Sequence, residues 1–253
     1  MRAQERLKEI YAKVQKYGTV HVKTLAIEYR VSEDLIRKDL RKLENEGLLD
    51  RVYGGAERKE NKFETSSIHF RLASDAQAKL AIAEKAVKCI EPLEYIFLDT
   101  SSTSAFIAKA LGESGKEVTV ITDMLEIMQI VSAYEKLNLI SIGGNFNTYT
   151  GGFSGQTAID QIKSYAVDKA FVSCRSVDIE GGFLLEGFVD IGHSKKAILD
   201  IARKRYISTQ STKYRASGVY KFYKLENIDC LITEKPLSTI QLEKIGPYEL
   251  ICL

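Results

Sequence analysis

The chain of 253 residues has no apolar run long enough to cross a membrane, which excludes a spanning helix. Its amino end carries charges within the first six residues, at Arg2, Glu5 and Arg6, and is not expected to be a secretory leader. Cysteine is sparse: Cys89, Cys174, Cys230 and Cys252 stand far apart, with no C-x-x-C and no histidine beside them. Neither a metal site nor a disulfide framework is spelled out, and reduced structural thiols are expected. The three histidines, His21, His69 and His193, have no recognisable triad context. Net charge is only +2, so the molecule is no polycation and any contact with nucleic acid must be local. Residues 1–60 carry 14 Lys and Arg against 11 Asp and Glu, and the remainder 22 against 23. The small excess of positive charge therefore lies at the amino end. There are no repeats or low-complexity tracts, and a 45% hydrophobic content suffices for a sizeable core. One or two domains of a cytoplasmic protein are expected.

Against these absences one stretch stands out, running from Val31 to Glu44. Ser32 sits where a helix N-cap belongs, with Glu33 and Asp34 in the first turn facing the positive helix end. Ile36, Leu40 and Leu43 recur at helical spacing and point to a core. Leu35, Arg37, Lys38, Arg41 and Lys42 fall outside that stripe, leaving a cationic exposed side. Upstream, Leu7, Ile10, Tyr11, Val14 and Tyr17 form another helical stripe that ends at Gly18, and Leu25, Ala26 and Tyr29 a second short one. The gap from Tyr29 to Ser32 leaves a tight turn, as in a helix-turn-helix. After Gly47, the residues Leu48 to Ala56 read as two extended pieces around a Gly54-Gly55 turn. Arg51 and Tyr53 are placed there to touch backbone phosphates. Three helices and a hairpin in so short a span describe a winged helix-turn-helix over residues 1–57, its basic helix suited to the major groove.

These residues resemble the amino-terminal signature of DeoR-type bacterial transcription regulators, Val-Ser-x-x-Thr-Ile-Arg-Arg-Asp-Leu followed by Leu-x-Arg-x-His-Gly-Gly-Ala. The chain departs from it at Leu35 for Thr, Lys38 for Arg and Tyr53 for His. Leu35 loses a hydroxyl and either packs on a thymine methyl or turns inward, and Lys38 keeps its charge without the bidentate fork. Ser32, Leu35, Arg37, Lys38 and Arg41, with Arg51 and Tyr53, are the expected contacts to double-stranded operator DNA.

Residues 58–75 lack a clean period, with Phe63, Ile68 and Phe70 scattered among polar neighbours, and read as a linker. From 76 to 253, helical segments alternate with short apolar strands. Strands are expected at 95–98, 118–122, 137–142, 169–173, 206–209 and 230–233, and helices at 76–90, 104–111, 124–133, 157–164 and 194–204. That alternation predicts an α/β fold with a mainly parallel sheet, whose ligands bind beyond the strand carboxyl ends. Four such ends matter. Asp99 to Thr103 runs into a helix and offers hydroxyls and amides to a phosphate. Asp123 adds a carboxylate, Gly143-Gly144 lets a ligand or another backbone approach, and Lys213 places a cation. Hydroxyls, a carboxylate and a lysine suit a small, phosphorylated, hydroxyl-rich ligand.

This half also resembles the DeoR-family sensor domain, itself similar to ribose-5-phosphate isomerase. The resemblance implies that Asp99, Ser102, Thr103, Asp123 and Lys213 hold a phosphorylated sugar effector, with Ser101, Gly143 and Gly144 beside them. Ser101 stands for a glycine of the family pattern and Gln210 for an aspartate. It implies no cofactor and no catalysis. A fused sugar-phosphate isomerase is the main rival, but Ser173 to Asp178 lacks the paired acids such an enzyme presents there, although Glu180 and Glu186 lie near in sequence. A regulator answering to a protein partner is the third class. Cys174 reads as a buried thiol, His193 as a surface residue at a helix start rather than a ligand contact, and Lys195 and Lys196 as solvated, although from that helix start they could reach an anionic ligand. A homodimer or tetramer is expected, because one winged head buries too little surface for tight specific binding.

Overall fold

The computed structural model describes residues 3–45, 48–58, 68–214, 218–245 and 251–253. Gly47 and Phe63 lie outside the described residues, as do the side chains of Phe70 and Cys252. The chain divides into two units, with the boundary between residues 65 and 66.

In the first unit, α1 (Ala3–Tyr17) buries Leu7, Ile10 and Val14. It stops at Gly18, whose φ of +78° and amide bond to the Val14 carbonyl make a left-handed cap. β1 (Thr19–His21) leads into α2 (Val22–Tyr29), which ends on Arg30 at φ +54°. Three residues later α3 (Glu33–Asn45) begins, and Ser32 Oγ accepts from the Leu35 amide at 3.3 Å. The expected stripe is buried: Ile36, Leu40 and Leu43 are at most 3% exposed. Each such side chain contributes about 1.5–3 kcal/mol by leaving water. β2 (Leu49–Val52) and β3 (Gly55–Arg58) form the wing, and β1 adds to it antiparallel in the order β1-β3-β2. The tip differs from the expected Gly-Gly turn. Tyr53 and Gly54 make it, with Gly54 at φ +80°, while Gly55 is already in β3. A Cβ on Gly55 would fall 2.0 Å from the Val20 carbonyl oxygen, so that glycine exists to let β1 approach.

One polar pair lies inside this small core. Arg6 of α1 and Asp39 of α3 are 5% and 7% exposed. Arg6 Nε donates to Asp39 Oδ2 at 2.5 Å and Nη2 to Oδ1 at 3.2 Å. The fork fixes α3 about its own axis, so the residues opposite Asp39 must face outward.

The second unit opens with α4 (Ile68–Ala73) and α5 (Ala76–Lys88). Then follow β4 (Tyr95–Leu98), α6 (Ser102–Ser114), β5 (Val118–Thr122), α7 (Leu125–Ser132) and β6 (Leu137–Ser141). A hairpin of β7 (Asn145–Asn147) and β8 (Gly152–Ser154) precedes α8 (Gln156–Lys163) and β9 (Val167–Val172). β10 (Ser176–Asp178), β11 (Phe183–Glu186), α9 (Val189–Asp200) and β12 (Ala202–Ser208) come next. β13 (Tyr220–Lys224), β14 (Cys230–Ile232), α10 (Thr239–Ile245) and β15 (Ile251–Cys252) complete the chain.

Seven strands pair in parallel in the order β15-β14-β12-β9-β4-β5-β6. Alternate residues serve opposite faces: Ile96 and Leu98 join Ile82, Ile107 and Ile127 on one side, while Phe97 joins Ala158, Ile162 and Ile198 on the other. Helices therefore cover both faces, which is why the strands read as continuous apolar runs. β10, β11 and β13 make a separate antiparallel sheet.

Two expectations need correction. The expected linker 58–75 is helical from Ile68 onward, and Ile68 is 4% exposed; residues 59–67 lie outside the described residues. The helix expected at 194–204 spans Val189–Asp200, and residues 202–204 belong to β12. Gly192 sits mid-helix, where a Cβ would lie 2.4 Å from the Tyr220 ring.

Arg6→Ala should destabilise the winged head by about 3 kcal/mol, because it leaves Asp39 buried without its cation. Chemical denaturation followed by a probe in residues 1–58 measures it, and a cost under about 0.5 kcal/mol, the level of an ordinary surface change, would show the pair to be idle.

Candidate nucleic-acid interface and effector site

On α3 the face opposite Asp39 carries exposed Arg37, Lys38 and Arg41. Lys38 and Arg41 make no ion pair with a described residue, whereas Arg37 donates to Asp34 Oδ1 at 2.8 Å and to Glu33 Oε2 at 2.6 Å. Leu35 is half-buried at the edge of this face. Arg51 reaches Glu44 Oε2 of α3 at 3.4 Å, so the wing is tied to the basic helix. Tyr53 stands fully exposed at the wing tip. All seven residues read as DNA contacts thus belong to α3, its cap or the wing, and the clamp that orients them, Arg6–Asp39, was not picked out from the sequence.

In the sensor unit the chain leaves β4 toward β5 on one side and later returns to β9 on the other, so β4 and β9 flank the topological switch point. Asp99, fully buried at the end of β4, is the hub there. Its Oδ1 accepts from Ser104 Oγ at 2.6 Å, and its Oδ2 accepts from the Ser173 amide at 3.0 Å and lies 3.2 Å from Lys195 Nζ. Lys195, 4% exposed, also donates to Glu186 Oε1 and to the Ser173 carbonyl, each at 2.7 Å. Burial opposes its charge, but Glu186 and Asp99 outweigh burial and hold its pKa above the ordinary lysine value. Reading Lys195 as solvated was therefore wrong: with α9 starting at Val189, it lies mid-helix on the inward face. His193 is exposed, mid-helix as well, and edge-on to Tyr220. Lys196 is exposed and pairs with Asp200.

Ser101 caps α6, with Oγ accepting from the Ser104 amide at 3.0 Å. The Ala105 amide takes the Ser101 carbonyl, leaving the amides of Ser102 and Thr103 as first-turn donors without an acceptor among the described residues. Thr100 Oγ1 donates to Asp123 Oδ1 at 2.7 Å, and burial pushes the Asp123 pKa up to about 7. Lys213 Nζ donates to the Cys174 carbonyl at 2.9 Å, and burial lowers its pKa. Two further cations join this site from the segments before β4. Arg71 of α4 donates to the Thr150 carbonyl at 3.2 Å. Lys79 of α5, 3% exposed, caps the carbonyls of Arg71 and Ser74, and burial lowers its pKa to about 8. Arg71, Lys79, Lys195 and Lys213 are near enough for Lys213 to feel Arg71 and Lys195, and for Lys79 to feel Arg71 and Lys213. Cys174 is a buried thiol with its pKa raised to about 11, too high for a nucleophile at neutral pH.

Beside Thr100, Asp123 and Lys195 lies a narrow cavity, also lined by Thr150, Gly152 and Ser194, with about 10 Å³ of free space, room for about one water. Ser194 Oγ is buried there without a partner among the described residues. Ser154, also on its wall, is shared with an open trough of about 520 Å³ bounded by Asn145, Asn147 and Asp190. Gly143 and Gly144 stand apart from the cavity. The Gly143 amide donates to Gln161, and a Cβ on Gly144 would lie 2.7 Å from the Ser154 carbonyl. The close approach is thus by the chain's own backbone.

Residues 6–62 match the DeoR-like helix-turn-helix domain, and residues 74–235 match the DeoR C terminal sensor domain. The chain belongs to the DeoR family. Among its relatives, the lactose phosphotransferase system repressor of Lactococcus lactis subsp. lactis is 30% identical over 254 residues, covering 99% of this chain and 98% of the relative. The HTH-type transcriptional regulator IolR of Bacillus subtilis is 28% identical over 92% of this chain and 91% of its own length. Of solved structures, ribose 5-phosphate isomerase A from Methanocaldococcus jannaschii aligns with a TM-score of 0.42, at 24% identity, over 56% of each chain. This DeoR-family protein is a DNA-binding transcriptional regulator and not an enzyme. Among its described residues, no helix is long and apolar enough to cross a membrane.

Asp123, with its folded pKa raised toward 7, adds stability that is complete below the unfolded carboxylate range near 4 and is lost as pH rises through 7. Asp123→Asn keeps the acceptor for Thr100 and removes the titration. The variant should gain on wild type by up to a few kcal/mol between pH 4 and pH 8, measured by thermal unfolding of the sensor unit; parallel pH profiles would contradict it.

Proposed function

We propose that this regulator represses a sugar-utilisation operon, gripping operator DNA as a homodimer or tetramer in the cytoplasm and releasing it when a phosphorylated sugar fills the strand-end site. The observation that carries the reading is the charge balance at the switch point. Four cations, Arg71, Lys79, Lys195 and Lys213, meet three carboxylates, Asp99, Glu186 and the exposed Asp75 beside Lys79, next to an Asp123 that burial brings close to neutrality. Such an excess, largely shut off from water, is costly until an anion arrives. Lys213 and the amides of Ser102 and Thr103 suit a phosphate. Asp123 and Ser194 suit sugar hydroxyls, Ser101 supports the loop as a cap, and Asp99 holds Lys195 in place. The one-water cavity requires the roof around Thr150 and Gly152 to open before a sugar enters. A relative named for a lactose phosphotransferase system supports the sugar assignment. At the head, Arg37, Lys38 and Arg41 read bases or phosphates, Ser32 and Leu35 flank them, and Arg51 and Tyr53 hold the adjacent backbone.

Thermal shift with ribose 5-phosphate, fructose 6-phosphate and sn-glycerol 3-phosphate, against unphosphorylated ribose and fructose, tests the sensor. A true effector at a hundred times its Kd should add about 2.7 kcal/mol of stability without being turned over. No response, or an equal response to neutral sugars, contradicts the reading. Lys213→Ala should abolish this stabilisation and leave DNA affinity near normal. Arg37→Ala should weaken binding to duplexes selected by the purified protein by about 1–3 kcal/mol if it reads a base; an unchanged footprint removes it from the interface.

A further inference from the structure

In chain order α4 is the first described element after the winged head, since β3 ends at Arg58 and α4 begins at Ile68. This short helix is fastened to one loop of its own unit. The Ile68 amide donates to the Tyr149 carbonyl at 2.8 Å. The Ile68 side chain lies over Gly151, where φ is +77° and a Cβ would come within 3.0 Å of Ile68 Cγ2. Arg71 Nη2 donates to the Thr150 carbonyl. Thr150 and Gly152 are walls of the strand-end cavity, so α4 grips the cavity's roof.

Arg71 is also incompletely satisfied. Its Nε is sealed from solvent and has no acceptor among the described residues. The charges it feels are Glu186 and Asp99, the same carboxylates that hold Lys195. Guanidinium presents its donors as a planar fork that matches a phosphate. Arg71 touches the cavity wall through the Thr150 carbonyl, and an anion beyond that wall would supply the acceptor that the described residues do not.

We propose that α4 is the sensor's relay: the effector's phosphate takes the free Arg71 Nε–H, holds α4 on the roof loop Tyr149–Gly151, and so biases the first described element after the winged head. This rests on the sugar-phosphate reading of the strand-end site and adds the route by which occupancy reaches the head. The effector then binds the α4-docked state more tightly than any undocked one. Linkage requires the docked state to be the one that holds DNA less well wherever the effector releases it.

Hydrogen–deuterium exchange on the full chain, with ribose 5-phosphate, fructose 6-phosphate, sn-glycerol 3-phosphate and inorganic phosphate as probes, tests this beside anisotropy on a selected duplex. The probe that protects amides 98–104 should also slow exchange at 68–73 and weaken wild-type DNA binding at least about tenfold. Arg71→Gln should bind the duplex within about twofold of wild type without probe. At probe concentrations that saturate protection of 98–104, it should lose most of the tenfold release. Arg71→Lys, which keeps the charge without the fork, should behave likewise. Ile68→Ala leaves Arg71 in place and should quicken exchange at 68–73 and blunt release, which keeps the test open if an Arg71 variant fails to fold. Protection of 98–104 with exchange at 68–73 unchanged, or full release by Arg71→Gln, overturns the relay and leaves the sensor reading standing. No protection at 98–104 by any probe overturns both.

Discussion

At the carboxyl edge of the parallel sheet, Asp99 gathers a hydroxyl from α6, an amide from the loop after β9 and the ammonium of α9. A carboxylate with no exposed surface is tolerable only if its lone pairs are met and its charge is opposed. Lys195 opposes it and carries the same requirement onward to Glu186 and the Ser173 carbonyl. Segments distant in sequence are thereby held at one place by bonds that fail together if one member is removed. The sheet order puts β4 beside β9, and these charges bind the two diverging loops, so the site has a fixed floor even where its roof is narrow.

The winged head solves a related problem on a smaller scale. Its core of Leu, Ile and Val side chains specifies that three helices pack, yet apolar contacts alone tolerate rotation of a helix about its axis. Arg6 and Asp39 remove that freedom with a two-point bond. The adjacent residues Arg37 and Lys38 and the later Arg41 then project away from the core. A buried pair of this kind is weak evidence for stability but a good device for setting orientation, and orientation is what a helix entering a groove needs.

Much of this was legible in the sequence where side-chain periodicity and burial agree. Ile36, Leu40 and Leu43 sit on the buried face, and the strands at 95–98 and 118–122 have the expected ends, because both faces of those strands are covered. Legibility failed where a residue's reason lies far away in the chain. The helix expected from residue 194 starts at Val189, and with its start misplaced Lys195 was misread. A lysine three residues from Gly192 and from Ile198, on an otherwise apolar stripe, is the signal that could have revealed a buried charge. Arg71 was missed because α4 is too short to show a period and is held by the Tyr149–Gly151 loop; Lys79 lies on the expected helix, but the carbonyls of Arg71 and Ser74 that it caps are not legible as partners in the sequence. β10, β11 and β13 are short; β10 and β11 make a local hairpin, whereas β13 joins it across a long stretch of chain, so no run of alternating residues announces that sheet.

The acidic first turn of α3 bears on the proposed grip of this chain on DNA. Glu33 and Asp34 already occupy the Arg37 guanidinium, so on that reading DNA has to compete for it, whereas Lys38 and Arg41 have no such rival among the described residues. When Arg37 turns to the duplex, two carboxylates are stripped bare close to the phosphates and draw cations back to themselves. That recapture offsets part of the counterion release that drives association. On the proposed interface, the ionic-strength dependence of the complex is therefore shallower than its cationic side chains suggest, and a larger share of the discrimination is left to geometry.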